Sequence, residues 1–209
     1  MVDNYLTIGI ISDDTFLSRK LITIWVNSLA RTYFVRFLEG TEEVYFKSLI
    51  NILKNRPPPW KMYLFLEIKD LKKRIGIIEI GLNTLTSNTL EGDIERSNLK
   101  EVKSIVIVSN KSQLRPEPLY TLILQIKGKR RFLRKIVKDP VAIVLDNEKL
   151  ITPRVINYLT HRYRNYKIFK ITNFKPTRIE KIPVEDLSQP FLWTLQNTLK
   201  RPISLIKTS

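Results

Sequence analysis

The chain has 209 residues, a formal net charge of +16 and a pI of about 10.0, which indicates a polyanionic partner. It has no cysteine and a single histidine, His161, so disulfides and thiol catalysis are excluded and a histidine-based metal site or Ser-His triad fits poorly. No apolar run approaches the length of a membrane span and the N-terminus lacks a signal-peptide pattern. We therefore expect a soluble protein without a membrane partner, located in the cytoplasm or nucleoid, or in the plastid stroma if the chain is organelle-encoded.

The two halves of the chain differ in charge. Residues 1–110 hold 15 basic and 13 acidic residues, a net charge of +2, whereas residues 111–209 hold 21 and 7, a net charge of +14. Such an asymmetry suggests two functions in one chain. The alternative is a general bias towards lysine from an AT-rich genome, which accounts for the excess of Lys over Arg better than for the asymmetry.

Hydrophobic periodicity predicts alternating strands and helices in the first third of the chain. Short apolar runs favour strands, and apolar residues three and four apart favour helices. The run Asn55-Arg-Pro-Pro-Pro ends the second helix, because proline lacks an N–H and clashes with the preceding turn. This β-α-β-α-β order predicts right-handed crossovers and a parallel sheet. The predicted strands are 5–11, 33–38 and 62–68, and the predicted helices are 15–30 and 42–54.

The pattern is less regular further on. Thr152-Pro153 predicts a helix start, with Thr as the N-cap and Pro at the first helical position. Several short helices with exposed basic side chains are typical of a helix-turn-helix unit. The basic run 127–138 is either a solvated surface or a phosphate contact, and 141–145 is a strand or a helix. The other predicted elements are strands at 74–81 and 102–108, a loop at 83–97, a short segment at 166–171, and helices at 117–126 and 184–200.

Acidic residues follow two of the predicted strands. Asp13 and Asp14 follow the first strand, and Glu67 ends the third. A parallel sheet gathers such residues at its C-terminal edge. Two aspartate carboxylates there supply the oxygen ligands that Mg²⁺ prefers, whereas the alternative is that Asp13-Asp14 caps the first helix. We expect either no cofactor or Mg²⁺.

The order of parts resembles a two-component response regulator of the NarL/LuxR type. Ile10-Ile-Ser-Asp-Asp-Thr resembles the receiver opening, Leu38-Glu-Gly-Thr-Glu-Glu resembles its turn into the second helix, and Ile151-Thr-Pro-Arg-Val-Ile is similar to the opening of the LuxR-type domain. The resemblance implies an α/β, receiver-like (flavodoxin-like) domain with a five-stranded parallel sheet at residues 1–138. A small all-α helix-turn-helix domain would follow at residues 145–209. The AT-rich composition is similar to that of plastid-encoded members.

The same resemblance implies an acidic pocket that is degenerate. Glu67 stands at the position of the phosphorylated aspartate, and its carboxylate is one methylene longer. We therefore expect a receiver that is not phosphorylated and that acts by packing and dimerisation. The remaining implied pocket residues are Asp13, Asp14, Ser109, and Lys111 or Lys135 as the receiver lysine.

The basic tail supplies the predicted nucleic-acid contacts. Lys175, Arg178 and Lys181 recur every three residues, close to one face of a helix. Arg178 would reach a base edge, and the lysines would lie on phosphates. The alternative is an ordinary solvated helix face, and Thr177 would cap the helix or face the backbone. The full predicted set is Lys167, Lys170, Lys175, Thr177, Arg178 and Lys181.

Two enzymatic alternatives stay open. Asp146 and Glu148 after the apolar run 141–145 resemble the Asp-x-Asp corner of a Toprim domain, with Glu79 as the earlier acid, and could share a metal. Glu67-Ile-Lys69 has the acid-x-Lys pattern of metal-dependent nucleases, although it lacks an aspartate partner.

Taken together, the sequence predicts a DNA-binding, response-regulator-like transcription factor that is not an enzyme. One alternative is a non-catalytic basic α/β subunit of a larger nucleic-acid-binding assembly, such as one containing RNA polymerase. The other is the Toprim-like, metal-dependent enzyme of nucleic acids. A homodimer is also possible under the first interpretation.

Overall fold

A computed structural model describes the greater part of the chain, and the elements below lie within it. The described residues are 5–12, 14–54, 56, 62–81, 102–109, 140–145, 151–171, 179–200 and 202–203. The strands are β1 (Leu6–Ser12), β2 (Val35–Leu38), β3 (Tyr63–Ile68), β4 (Lys73–Gly81), β5 (Val102–Ser109), β6 (Val141–Leu145) and β7 (Tyr166–Lys170). The helices are α1 (Thr15–Thr32), α2 (Thr41–Leu53), α3 (Pro153–Arg162) and α4 (Val184–Leu199), with short 3₁₀ turns at Lys69–Leu71 and Ile179–Lys181.

The seven described strands form one mixed sheet in the order β2-β3-β4-β1-β5-β6-β7. Strands β4, β1, β5, β6 and β7 pair in parallel. Strand β3 lies between β2 and β4 and is antiparallel to both. The predicted α/β class is therefore confirmed, and the sheet differs from the expected one in having seven strands and one reversed strand.

The reversed direction of β3 follows from a short connection. Only residues 69–72 separate β3 from β4, and they form a 3₁₀ turn that ends at Lys72 with φ of 52°. A parallel pair needs a crossover of a dozen or more residues, whereas a connection this short joins antiparallel neighbours. The predicted all-parallel sheet was therefore wrong at this point, because two strands predicted separately form a hairpin.

The second half of the chain extends the same sheet. Strand β6 pairs with β5, and β7 pairs with β6 from Val141↔Tyr166 to Leu145↔Lys170. The region expected to be an all-α helix-turn-helix domain thus contains a sheet strand. Strands from both predicted domains belong to one sheet, which the predicted boundary between residues 138 and 145 did not anticipate.

One face of the sheet is covered by α1, α2 and α4. Helix α1 buries Leu17, Leu21, Trp25 and Leu29, which are spaced four residues apart along one side. Trp25 stacks on Phe191 of α4 with ring centroids 5.0 Å apart. These helices and the strand residues beneath them form the larger apolar core.

The other face of the sheet packs against α3. Thr152 caps this helix by accepting a hydrogen bond from the Val155 N–H, as predicted, and Pro153 is its first residue. Val155 and Leu159 are fully buried, together with residues of β5 and β6. Among the described helices, none has the length and apolar character that a membrane crossing requires.

Candidate functional site

Asp14, one of the two predicted metal ligands, caps helix α1. Its Oδ1 accepts a hydrogen bond from the Leu17 N–H at 3.0 Å, and its own N–H donates to the Ser12 hydroxyl at 2.9 Å. The Ser12 hydroxyl in turn donates to the Asp14 carbonyl at 2.8 Å. The capping alternative is therefore confirmed for Asp14, while Asp13 lies outside the described residues.

Glu67, the expected phosphoacceptor position, lies far from Asp14. Because β3 is reversed, its last residues meet the first residues of β4, and Glu67 is in register with Arg74. Ser12, two residues before Asp14, is in register with Gly81 at the other end of β4. Seven residues of strand separate these positions, a distance of about 23 Å. The structure does not bring Glu67 into a pocket with Asp14.

Instead, Glu67 lies in a row of alternating charge. It is in register with Arg36 on β2 and with Arg74 on β4. Residues directly opposite on antiparallel strands share a face, and opposite charges there stabilise the pairing. Glu67 is half-buried, which fits a structural role at this edge of the sheet.

Ser109 is the one other described member of the predicted pocket. It ends β5 and is fully buried, and the preceding Val108 is in register with Ser12. Ser109 therefore shares the C-terminal edge with Asp14 but not with Glu67. Lys111, Lys135, Asp146 and Glu148 lie outside the described residues.

Glu79, the acid considered for a Toprim-like site, is buried and fully engaged. Its Oε2 lies 2.8 Å from the Arg19 Nε and accepts the Met62 N–H at 3.0 Å. Its Oε1 accepts a longer hydrogen bond from the Ser18 hydroxyl at 3.4 Å. This carboxylate joins α1, β4 and the start of β3. Within the described ranges, no three acidic or histidine side chains cluster as metal ligands do.

The predicted nucleic-acid contacts are only partly described. Lys167 and Lys170 are exposed on β7, at the edge of the sheet, and Lys181 is exposed in a 3₁₀ turn. The Lys167 amino group lies 5.2 Å from the Phe169 ring centroid. Lys167 and Lys170, which precede the predicted helix, belong to a strand, and Lys181, the described member of the predicted helix face, lies in the 3₁₀ turn. Lys175, Thr177 and Arg178 lie outside the described residues.

A basic site that the sequence analysis did not single out lies at the β3–β4 turn. An open depression of about 510 Å³ is lined by four cationic side chains and one carboxylate, a net charge of +3. Three of the cations are exposed and Arg74 is half-buried. We call this surface the basic hairpin, and its residues are Glu67, Lys69, Lys72, Lys73 and Arg74.

Three hydrogen bonds close the turn of the basic hairpin and join it to Phe34. The Lys69 N–H donates to the Phe34 carbonyl at 3.0 Å, and the Phe34 N–H donates to Asp70 Oδ2 at 2.7 Å. The Lys72 N–H closes the turn on the Lys69 carbonyl at 3.0 Å. Asp70 is thus directed towards the backbone just before β2, and the lysines belong to a hydrogen-bonded turn.

An exposed aromatic ring lies beside these cations. Phe34 is 60% exposed, and the Lys69 amino group lies 4.6 Å from its ring centroid. A large apolar side chain on the surface, with a lysine amino group beside its ring, can contact the planar part of a ligand while the lysine contacts the anionic part. The arrangement suits a ligand that carries negative charge and flat rings together.

The sequence contains a signal for this site. Lys72-Lys73-Arg74 is a run of three basic residues between two predicted strands. This run becomes part of a larger basic site only if residues 69–72 form a hairpin turn. The turn adds Lys69 to the site and places Phe34, just before β2, beside Lys69. Exposure of Phe34 could not be inferred from its position in a predicted strand.

Comparisons with known proteins add no functional assignment. No protein-family model and no curated protein matches this chain. Among solved structures, Helicobacter pylori MTAN shows a likeness at 9% sequence identity, covering 93% of this chain and 97% of that protein, with a TM-score of 0.23. At that score the likeness carries no argument about this chain.

Proposed function

We propose that this chain binds nucleic acid through its phosphate backbone and that the basic hairpin is one contact surface. The observation that carries the proposal is the convergence of Lys69, Lys72, Lys73 and Arg74 on one open depression. Clustered lysine and arginine side chains attract a polyanion because each phosphate they neutralise releases condensed counterions.

The charge of the whole chain supports the same partner. The net charge is +16, and most of it falls after residue 110. Among the described residues of that half, Lys167, Lys170 and Lys181 are exposed. They would add contacts to the phosphate backbone of the nucleic acid at a distance from the basic hairpin. A bound strand would then contact the protein at more than one place. DNA is the partner that we propose.

The exposed ring of Phe34 favours a single strand over a duplex at the basic hairpin. Unpaired bases stack on aromatic side chains while lysines hold the adjacent phosphates, and this mode tolerates any sequence. In a duplex the bases are already stacked on one another and are less accessible to an aromatic side chain. The proposed ligand of the basic hairpin is therefore single-stranded DNA.

We further propose that the protein acts by binding and not by catalysis. Two acids considered for metal chemistry have neighbours that give them a structural role. Glu79 forms an ion pair with Arg19, and Glu67 lies in register between two arginines on the adjacent strands. A non-catalytic basic α/β subunit of a larger nucleic-acid-binding assembly is the role that fits best. Transcription regulation would be one use of such binding.

The test measures how salt affects binding to a fluorescently labelled single strand by anisotropy. We expect the logarithm of the association constant to fall linearly with the logarithm of the salt concentration. Replacing Lys72 and Lys73 together by alanine should reduce the slope by about 0.7 for each phosphate that the variant no longer neutralises. Lys47→Ala is the matched control, because Lys47 is exposed on α2 and is already paired with Glu43.

Two results would argue against the proposal in different ways. Absence of salt-dependent binding by the unaltered protein contradicts nucleic-acid binding altogether. Binding whose slope is the same for the unaltered protein and for Lys72→Ala/Lys73→Ala places the contact elsewhere on the surface, and the lysines of β7 would then be replaced next.

A further inference from the structure

Helix α2 has an apolar stripe on a side that is exposed to solvent. Phe46, Ile50 and Leu53 follow one another at intervals of four and three residues, which places them on one face of the helix. They are 48%, 51% and 75% exposed. The opposite side of α2 is buried through Tyr45 and Ile52. Helix α2 is therefore apolar on two sides, and only one of them is covered in the part of the chain that the structure describes.

Charged residues flank the stripe with opposite signs at its two ends. Glu42 and Glu43 stand in the first turn of α2, where Glu43 is paired with Lys47, whereas Lys54 and Arg56 follow its last residues. The four flanking residues are exposed. From one end to the other the exposed side runs from acidic through apolar to basic, and its centre is close to Ile50.

Such a pattern is complementary to itself when one copy is reversed. If a second α2 lies antiparallel across a two-fold axis near Ile50, Phe46 of one copy comes opposite Leu53 of the other, and Ile50 meets its own counterpart. The acidic first turn of each helix then lies beside the basic end of the other. A two-fold interface uses the same surface on both partners, which is what this stripe offers.

We propose that α2 is a self-association surface through which two copies of this chain pair with their α2 helices antiparallel. A parallel arrangement would place Glu42 against its own counterpart, and this like-charge contact disfavours it. One pair of helices is smaller than a standard protein interface, so the dimer should be reversible and weak. The proposal is independent of nucleic-acid binding, since none of the stripe residues lines the basic hairpin.

The absence of cysteine from the chain makes a direct test simple. Ile50→Cys introduces a single thiol at the proposed axis, where its counterpart is adjacent, so mild oxidation should produce a disulfide-linked dimer. Ile156→Cys is the matched control, because Ile156 is 41% exposed on α3, outside the stripe. We expect the Ile50→Cys dimer to form about tenfold faster or more, since the local thiol concentration is higher.

Sedimentation equilibrium of the full chain supplies the second readout. The unaltered protein should pass from monomer to dimer as its concentration rises, Ile50→Glu should remain monomeric, and Ile156→Glu should still dimerise. Glu42→Lys should weaken the dimer, and adding Lys54→Glu should restore it by exchanging the charges.

Three outcomes would overturn the proposal. One is a protein that stays monomeric at every concentration, which would mean that another partner or another segment of the chain covers the stripe. The second is a dimer that persists in Ile50→Glu. The third is equal cross-linking of Ile50→Cys and Ile156→Cys, which would reflect random collision.

Discussion

Arg19 of α1 and Glu79 of β4 form an ion pair inside the protein, with the Arg19 Nε 2.8 Å from the Glu79 Oε2 and their side chains only 8% and 3% exposed. The carboxylate also accepts hydrogen bonds from the Met62 N–H and the Ser18 hydroxyl. Because its partners come from α1 and from the start of β3, this one side chain ties helix α1 to the hairpin formed by β3 and β4.

We expect Glu79→Ala to destabilise the protein strongly. It would remove the carboxylate that pairs with the buried Arg19 guanidinium, and breaking a buried pair from one side costs about 3–5 kcal/mol. Urea unfolding followed by circular dichroism measures the loss. Glu43→Ala is the control: Glu43 also forms an ion pair, with Lys47, but it is exposed and its removal should barely move the midpoint.

A double replacement separates the charge from the packing. Arg19→Met with Glu79→Leu removes both charges and keeps much of the buried volume, so it should recover most of the stability lost in Glu79→Ala. If the double variant is as unstable as Glu79→Ala, the hydrogen bonds to Met62 and Ser18 matter more than the ion pair, and the assignment of the destabilisation to the broken ion pair is wrong.

Phe34 provides a prediction about the form of nucleic acid that is bound. Phe34→Ala should weaken binding to a single strand by about 1–3 kcal/mol if a base stacks on the ring. Binding to a duplex of the same length should change much less. Anisotropy titrations with the two labelled ligands at one salt concentration measure both effects. Equal losses for both would mean that Phe34 supports the shape of the turn and does not stack on a base.

Tyr45 gives the folded protein a pH dependence in the alkaline range. Burial raises the pKa of the Tyr45 hydroxyl from 10.0 to about 12. In the unfolded chain the hydroxyl loses its proton near its ordinary pKa, so between these values the unfolded state binds fewer protons than the folded state. The stability contributed by the protonated hydroxyl is complete below pH 10 and is lost as the pH rises towards 12.

Tyr45→Phe isolates this effect. The hydroxyl donates a hydrogen bond to Asn27 Oδ1 at 2.6 Å, so the variant should be less stable than the unaltered protein at about pH 9. The difference between their urea midpoints should shrink at about pH 11, because only the unaltered protein has this group to titrate. A difference that stays constant or grows over this range would contradict the raised pKa.

Much of the element order was predictable from sequence because local periodicity determines it. The first five elements were confirmed to within about two residues, and the Thr152 cap of α3 was also confirmed. The direction of β3 was not predicted, since the pattern of an apolar run is the same for parallel and antiparallel strands. It is decided by the short turn from Lys69 to Lys72, whose role as a hairpin was missed.

The direction of β3 also decides which charged residues lie together. With β3 parallel, Glu67 would lie at the same edge as Asp14, and an acidic pocket would follow. With β3 antiparallel, Glu67 lies at the other edge among Arg36, Arg74 and the lysines of the basic hairpin. Exposure of Phe34 and burial of Glu79 depend on contacts between distant segments, which residue patterns do not encode.

The contact between α1 and α4 predicts that the first 138 residues do not fold alone. Trp25 is fully buried, its indole N–H donates to the Leu187 carbonyl at 2.7 Å, and its ring stacks on Phe191. Without α4 this side of the core would face water, and β5 would lose β6 as its neighbour. We expect residues 1–138 to show no cooperative urea transition by circular dichroism. Phe191→Ala in the full chain should cost about 3–5 kcal/mol. A sharp transition for the fragment, at the midpoint of the full chain, would instead support two independent domains.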